Sequence, residues 1–178
     1  VVKEGVHVDW EHADRIKRLL KYPTARGEAG TRVFLEDYVK DMPATQKDIY
    51  YVTAEREEDA RKSPVLEAAR RHGCDVLLFC DPVDDYLTES LREFDGKKFV
   101  DVAKGDVSFG SEDEQKAEKA ANEKASADLK PFLEAVKKEL AASVSDVRVS
   151  TRLTDSPCCL VAQEHALPPS MVRMMRAM

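Results

Sequence analysis

Hydrophobic positions in this chain come in short runs whose spacing alternates between strand and helix periods. The run VLLFC at 76–80 is continuous and bounded by turn formers, the pattern of a strand buried on both faces. DIYYVT at 48–53, dense in β-branched and aromatic residues, predicts a second strand, and KFVDV at 98–102 a third. Between the first two lie a charged loop, 54–62, and a helix that opens at Ser63-Pro64, carries Leu66, Ala69 and Arg70, and stops at Gly73. After the run at 76–80, Asp81 serves as N-cap and Pro82 as first helical residue. Asp84 and Asp85 fall in the first turn, and the helix reaches about Glu93 before an Asp95-Gly96 turn. Two consecutive β-α-β crossovers imply a parallel sheet in a small three-layer α/β/α unit.

Upstream, residues 8–22 read as a helix capped by Asp9, with Ala13, Ile16, Leu19 and Leu20 at helical spacing and Pro23 closing it. A Gly-containing connection, 24–32, leads to a short helix marked by Leu35, Tyr38, Val39 and Met42 and ended by Pro43. Downstream, from Ser108, a Lys, Glu and Ala tract has a capping box, Ser111 with Glu114, but no apolar face. That pattern predicts a solvated or frayed connector and places a domain boundary there. Asp128 then caps a helix with Pro131 in its first turn, predicted to bury Leu129, Phe132, Leu133, Val136 and Leu140. Residues 147–150 and 159–162 read as strands, so the second unit is α+β. The last apolar stripe is Met171, Met174, Met175 and Met178, at i, i+3, i+4 and i+7, with Arg173 and Arg176 on the other side. Four flexible thioethers on one helical face suit a surface that accepts varied partners; an ordinary core or dimer helix has the same pattern.

Composition narrows the function. With 178 residues, 43% hydrophobic content and a net charge of −6 spread over both signs, the chain suits a core-forming protein without the basic stripe that nucleic acid requires. The apolar runs are too short for a membrane span and no signal pattern opens the chain, which points to the cytoplasm or an organelle matrix. Cys74, Cys80, Cys158 and Cys159 lack CxxC spacing and read as reduced, buried thiols. His7, His12, His72 and His165 show no ligand spacing, and no P-loop, GxGxxG, HExxH or GxSxG is present. The enzyme candidate is the acidic cluster Asp81, Asp84 and Asp85 at the carboxyl end of a parallel strand, where carboxylates hold Mg²⁺ in some α/β folds. The helix dipole alone also selects acids there. The first residue is Val1 and the methionine segment has no C-cap, so the chain is expected to be a piece of a longer one.

KEGVHVDWE at 3–11, QKDIYYVT at 46–53, SPVLEAARRHGCDVLLF from Ser63, DPVDDYL at 81–87, EFDGKKFVDVAKGD at 93–106 and VSTRLTDSPCCLV at 149–161 follow one another in a specific order. In this series the chain resembles the heat-shock protein 90 chaperones, most of all their bacterial members, over nearly its whole length. The resemblance implies a helical coil of the middle domain at 1–30, its small α/β/α subdomain at 31–110, and the first part of the C-terminal dimerisation domain at 111–178. It implies that ATP, Mg²⁺ and the arginine assisting hydrolysis belong to preceding parts of the family's chain, so this piece needs no cofactor and catalyses nothing. Homodimerisation would belong to the full-length protein. Partners would be unfolded or partly folded client proteins, with neither nucleic acid nor membrane. Client contacts carry over to Asp85, Tyr86 and Glu89 on one helix and to Leu167, Met171, Met174 and Met175, with Met178 completing the stripe. Two readings stand beside it: a Mg-dependent α/β enzyme using the Asp81 cluster, and a purely structural dimerisation module.

Overall fold

A computed structural model describes residues 2–9, 11–105 and 107–163. Helix α1 spans Val2–Val8 and α2 Ala13–Lys17, followed by strands β1, Lys21–Tyr22, and β2, Val33–Phe34, and by α3, Leu35–Lys40. Then come β3, Ile49–Thr53; α4, Glu57–Lys62; a 3-10 turn, Pro64–Leu66; α5, Glu67–Arg71; and β4, Val76–Phe79. The chain continues through α6, Asp84–Ser90; β5, Glu93–Phe94; β6, Lys97–Asp101; α7, Glu112–Asp128; and α8, Lys130–Glu139.

The main sheet has the order β4-β3-β6-β5, with β3 central and parallel to both neighbours; Tyr51 pairs with Leu77 on one side and Asp101 on the other. Strand alternation sends Ile49, Tyr51, Leu77 and Phe79 to one face, where they pack with Leu20, Tyr22, Leu35, Leu87 and Leu91. Tyr50, Val52, Val76 and Leu78 go to the other, against Ala60, Leu66, Ala68 and Ala69. Both faces are therefore covered by helices, the three-layer arrangement expected of a mostly parallel sheet. At the amino ends of β3 and β4, the buried Gln46 amide donates to Tyr38 Oη (2.8 Å) and its oxygen accepts from the Asp75 N–H (3.0 Å).

The first expected helix is not continuous. The chain breaks into α1 and α2, and Lys21–Tyr22 leaves helical geometry to pair antiparallel with Val33–Phe34. The cause is tertiary: Tyr22 stacks on Phe79 at 4.5 Å between centroids and Leu20 is fully buried, whereas Leu19 stays exposed. The loop expected at 54–62 contains α4, whose single buried residue is Ala60. One small core contact leaves no periodic signal, yet Glu57, Glu58 and Asp59 at its start and Arg61 and Lys62 at its end suit the dipole. Helix α6 begins at Asp84, behind a turn at 81–83, and ends before β5, which pairs antiparallel with β6. Asp95 and Gly96 take φ of 50° and 73°, the conformation of a two-residue hairpin turn.

The polar tract forms one uninterrupted helix, α7. Its capping box is complete: Glu114 Oε2 accepts from the Ser111 N–H at 2.7 Å, and Ser111 Oγ accepts from the Glu114 N–H at 3.4 Å. Gly110 precedes it with φ of 78°, where a Cβ would lie 2.6 Å from Glu114 Oε2 and 2.7 Å from His72 Nδ1. Ser111→Ala is expected to weaken the first turn of α7 by about 1 kcal/mol, measured as faster amide hydrogen exchange there. The stripe assigned to α8 is not buried as expected: Leu129, Phe132 and Leu140 are exposed, and Leu133 and Val136 are half-buried. Neither 147–150 nor 159–162 forms a strand among the described residues. Ala162 instead makes an isolated parallel bridge to Lys104 beyond the end of β6. Cys74 is buried as expected, but Cys158 is exposed; all four cysteines are free thiols. Among the described residues no helix is long and apolar enough to cross a membrane.

Candidate functional site

Helix α6 has two unlike sides. Asp84, Leu87 and Leu91 face inward at 1% exposure each, while Tyr86 is 53% exposed, with half-buried Asp85 beside it. Glu89 lies on the same helix, one turn beyond Asp85. The Asp85 carbonyl accepts the Thr88 hydroxyl at 2.9 Å.

The inward side is held by charge. Lys3 Nζ bridges Asp81 Oδ2 (2.7 Å) and Asp84 Oδ1 (2.6 Å), and Asp84 Oδ2 accepts the Asp81 N–H at 3.0 Å. Arg32 adds bonds to both Asp81 oxygens at 3.2 and 3.4 Å, and Lys3 lies 4.2 Å from the Tyr22 ring centroid. Burial pushes the Asp84 carboxyl up, opposed by Lys3; at Asp81, half out in solvent, the Lys3 bond prevails and lowers it. Burial, then Asp84 and Asp81, push the Tyr22 phenol up, and burial pushes the Cys80 thiol up to about 11. Cys80 is thus a thiol at neutral pH, not a nucleophile. The His7 ring and the Ser90 hydroxyl meet at 2.9 Å near the other end of α6.

This arrangement gives no support to the alternative of an acidic Mg²⁺ cluster. The charges of Asp81 and Asp84 are met by the chain's own Lys3 and Arg32, and Asp85 stands on a different side of the helix from Asp84. Among the described residues no three His, Cys, Asp or Glu side chains converge as metal ligands. The cluster ties α1 to the start of α6, the helix that carries Tyr86. Of the other expected site residues, Leu167, Met171, Met174, Met175 and Met178 lie outside the described residues.

A second group was not visible in the sequence. The Arg152 guanidinium, 3% exposed, donates to the Val102 carbonyl at 2.6 Å, to that of Lys104 at 3.2 Å and to that of Gly105. Glu118 Oε1 meets Arg71 Nη2 at 2.7 Å and His72 Nε2 at 3.1 Å, tying α7 to the end of α5. These pairs join residues 46 to 50 positions apart, and no local spacing announces them.

The family description "Hsp90 protein" matches residues 1–178. Over 178 residues the chain is 43% identical to the chaperone protein HtpG of Geobacter sulfurreducens, covering 100% of this chain and 27% of that protein. It is 47% identical to the chaperone protein HtpG of Alkalilimnicola ehrlichii, covering 99% and 27%. The chain thus spans about a quarter of the length of these relatives. Among solved structures, the middle domain of a Plasmodium falciparum heat shock protein superposes with a TM-score of 0.54 at 30% identity, over 57% of this chain and 42% of that one. The ordered motifs, the α/β fold with its mostly parallel sheet and the match along the full chain agree: this chain belongs to the Hsp90 family.

Proposed function

We propose that this chain is a client-holding part of an Hsp90-type chaperone, and that α6 presents one contact through Tyr86, flanked by Asp85 and Glu89. The observation that carries this reading is Tyr86 itself, a large aromatic left 53% exposed on a helix whose opposite side is clamped. An aromatic ring with a polar rim gives an unfolded polypeptide apolar contact without demanding a particular sequence. On the same reading, Leu167, Met171, Met174, Met175 and Met178 supply a second, more adaptable contact, and the segments on either side of about residue 110 belong to a middle and a C-terminal domain. ATP hydrolysis and homodimerisation belong to parts of the longer relatives that this chain does not span, in a cytoplasmic or organelle-matrix protein.

The test is a titration of the chain with a permanently unfolded hydrophobic polypeptide, read residue by residue by NMR. Tyr86→Ser is expected to weaken binding about five- to thirtyfold, the range of a 1–2 kcal/mol anchor. Met171→Ser with Met174→Ser is expected to weaken it independently. Binding that leaves the α6 signals unmoved would sink the Tyr86 assignment. Absence of binding, with the methionines protected in a self-associated chain, would favour an assembly role instead.

A further inference from the structure

The segment after α8 is seated on the α/β/α layers without a fully buried apolar side chain, since from residue 111 onward Arg152 alone is buried among the described residues. Directional polar bonds therefore carry much of its seating. One group of these has the form of a ligand site. Glu67 Oε2 accepts the successive backbone N–H groups of Thr154 (2.6 Å), Asp155 (3.0 Å) and Ser156 (3.3 Å), while Glu67 Oε1 accepts the Ser156 hydroxyl. Successive N–H groups turned to one point form a concavity that selects an anion, and a carboxylate with both oxygens engaged is a strong acceptor for it.

We propose that the 154–156 backbone and the Ser156 hydroxyl form a carboxylate-binding nest, that Glu67 is its resident ligand, and that this bond sets how the segment seats on α5. Arg152 anchors the same segment a few residues earlier, on the carbonyls that follow β6. The two contacts make different demands. Arg152 needs backbone carbonyls inside the fold, whereas the nest needs only an anion, so it is the part that an external carboxylate can fill. The donors, the Ser156 hydroxyl foremost, hold Glu67 down to about 2 from its ordinary 4.5. The stabilisation from this contact is therefore present above the ordinary glutamate range and lost as pH falls from about 4.5 through about 2.

The experiment is amide hydrogen exchange on the 178-residue chain. Glu67→Ala is expected to speed exchange at Thr154, Asp155 and Ser156 about tenfold or more, with β3 still protected, and added formate is expected to restore the slow rates. Unchanged exchange at those amides overturns the assignment, as does an acceleration that formate leaves in place. Should Glu67→Ala loosen β3 as well, the isosteric Glu67→Gln decides. Faster exchange at 154–156 with β3 protected supports the nest, and unchanged exchange overturns it.

Discussion

Lys3→Met is expected to destabilise the chain by about 3–5 kcal/mol, the cost of removing one partner of a buried ion pair. The reason is Asp84, 1% exposed, whose carboxylate faces Lys3 Nζ at 2.6 Å. Without the ammonium, a charge remains in the interior against the Tyr22 ring and the start of α6. Domains of this size are stable by about 5–15 kcal/mol, so the variant is expected to unfold at a markedly lower urea midpoint. Two controls separate charge from packing. Lys3→Met combined with Asp84→Asn is expected to recover much of the loss, because the neutral amide can still accept the Asp81 N–H. The deficit of Lys3→Met is also expected to shrink in acid. Lys3 holds Asp81 below 3.8, a stabilisation of the parent chain that is present above that value and fades as pH falls. Asp84 is held above 3.8 by burial and is neutralised on the same descent. A deficit independent of pH would mean that Lys3 matters through its stem rather than its charge. Because α1 and α6 meet through this cluster, amides of 84–90 are expected to lose protection in the variant before those of β3.

Phe79→Ala is the second large effect, about 3–5 kcal/mol. Phe79 is 1% exposed at the end of β4, stacked between Tyr22 at 4.5 Å and Tyr51 at 4.8 Å. The cavity left behind is bounded by a central strand on one side and by β1 on the other, so neither wall collapses into it without breaking sheet bonds. Tyr22 lies off the main sheet and is expected to move most, giving a changed near-ultraviolet aromatic signal as well as a lower urea midpoint. Phe79→Leu keeps most of the volume and is expected to cost less than about 1.5 kcal/mol. Equal effects of the two substitutions would show that stacking, not volume, holds the position.

The parts of this fold legible in the sequence are those whose signal is local. The strands at 49–53, 76–79 and 97–101 announce themselves as short β-rich runs between turn residues, and two parallel crossovers follow from the helices between them. The capping box at Ser111 and the hairpin turn at Asp95-Gly96 are legible for the same reason, since each depends on residues within four positions. What failed had tertiary causes. Residues 8–22 carry a helical pattern, yet Tyr22 gains more by stacking on Phe79 than by extending the helix. Helix α4 buries only Ala60 and left no period to read. The candidacy of Tyr86 on α6 came from the family resemblance; the clamp beneath it had no signal in the sequence.

Family membership, the α/β class and the parallel crossovers were within reach of the sequence alone, because apolar period, turn chemistry and motif order act over short stretches of chain. Only the tertiary structure decided that Asp81 and Asp84 pair with Lys3 and that Asp81 also pairs with Arg32. It also decided that Arg152 is the buried anchor of the later segment and that Glu67 sits in a nest of three backbone N–H groups. Charges are satisfied by whatever the fold brings near them, and with partners 47 to 89 positions apart that proximity is a property of the packed chain.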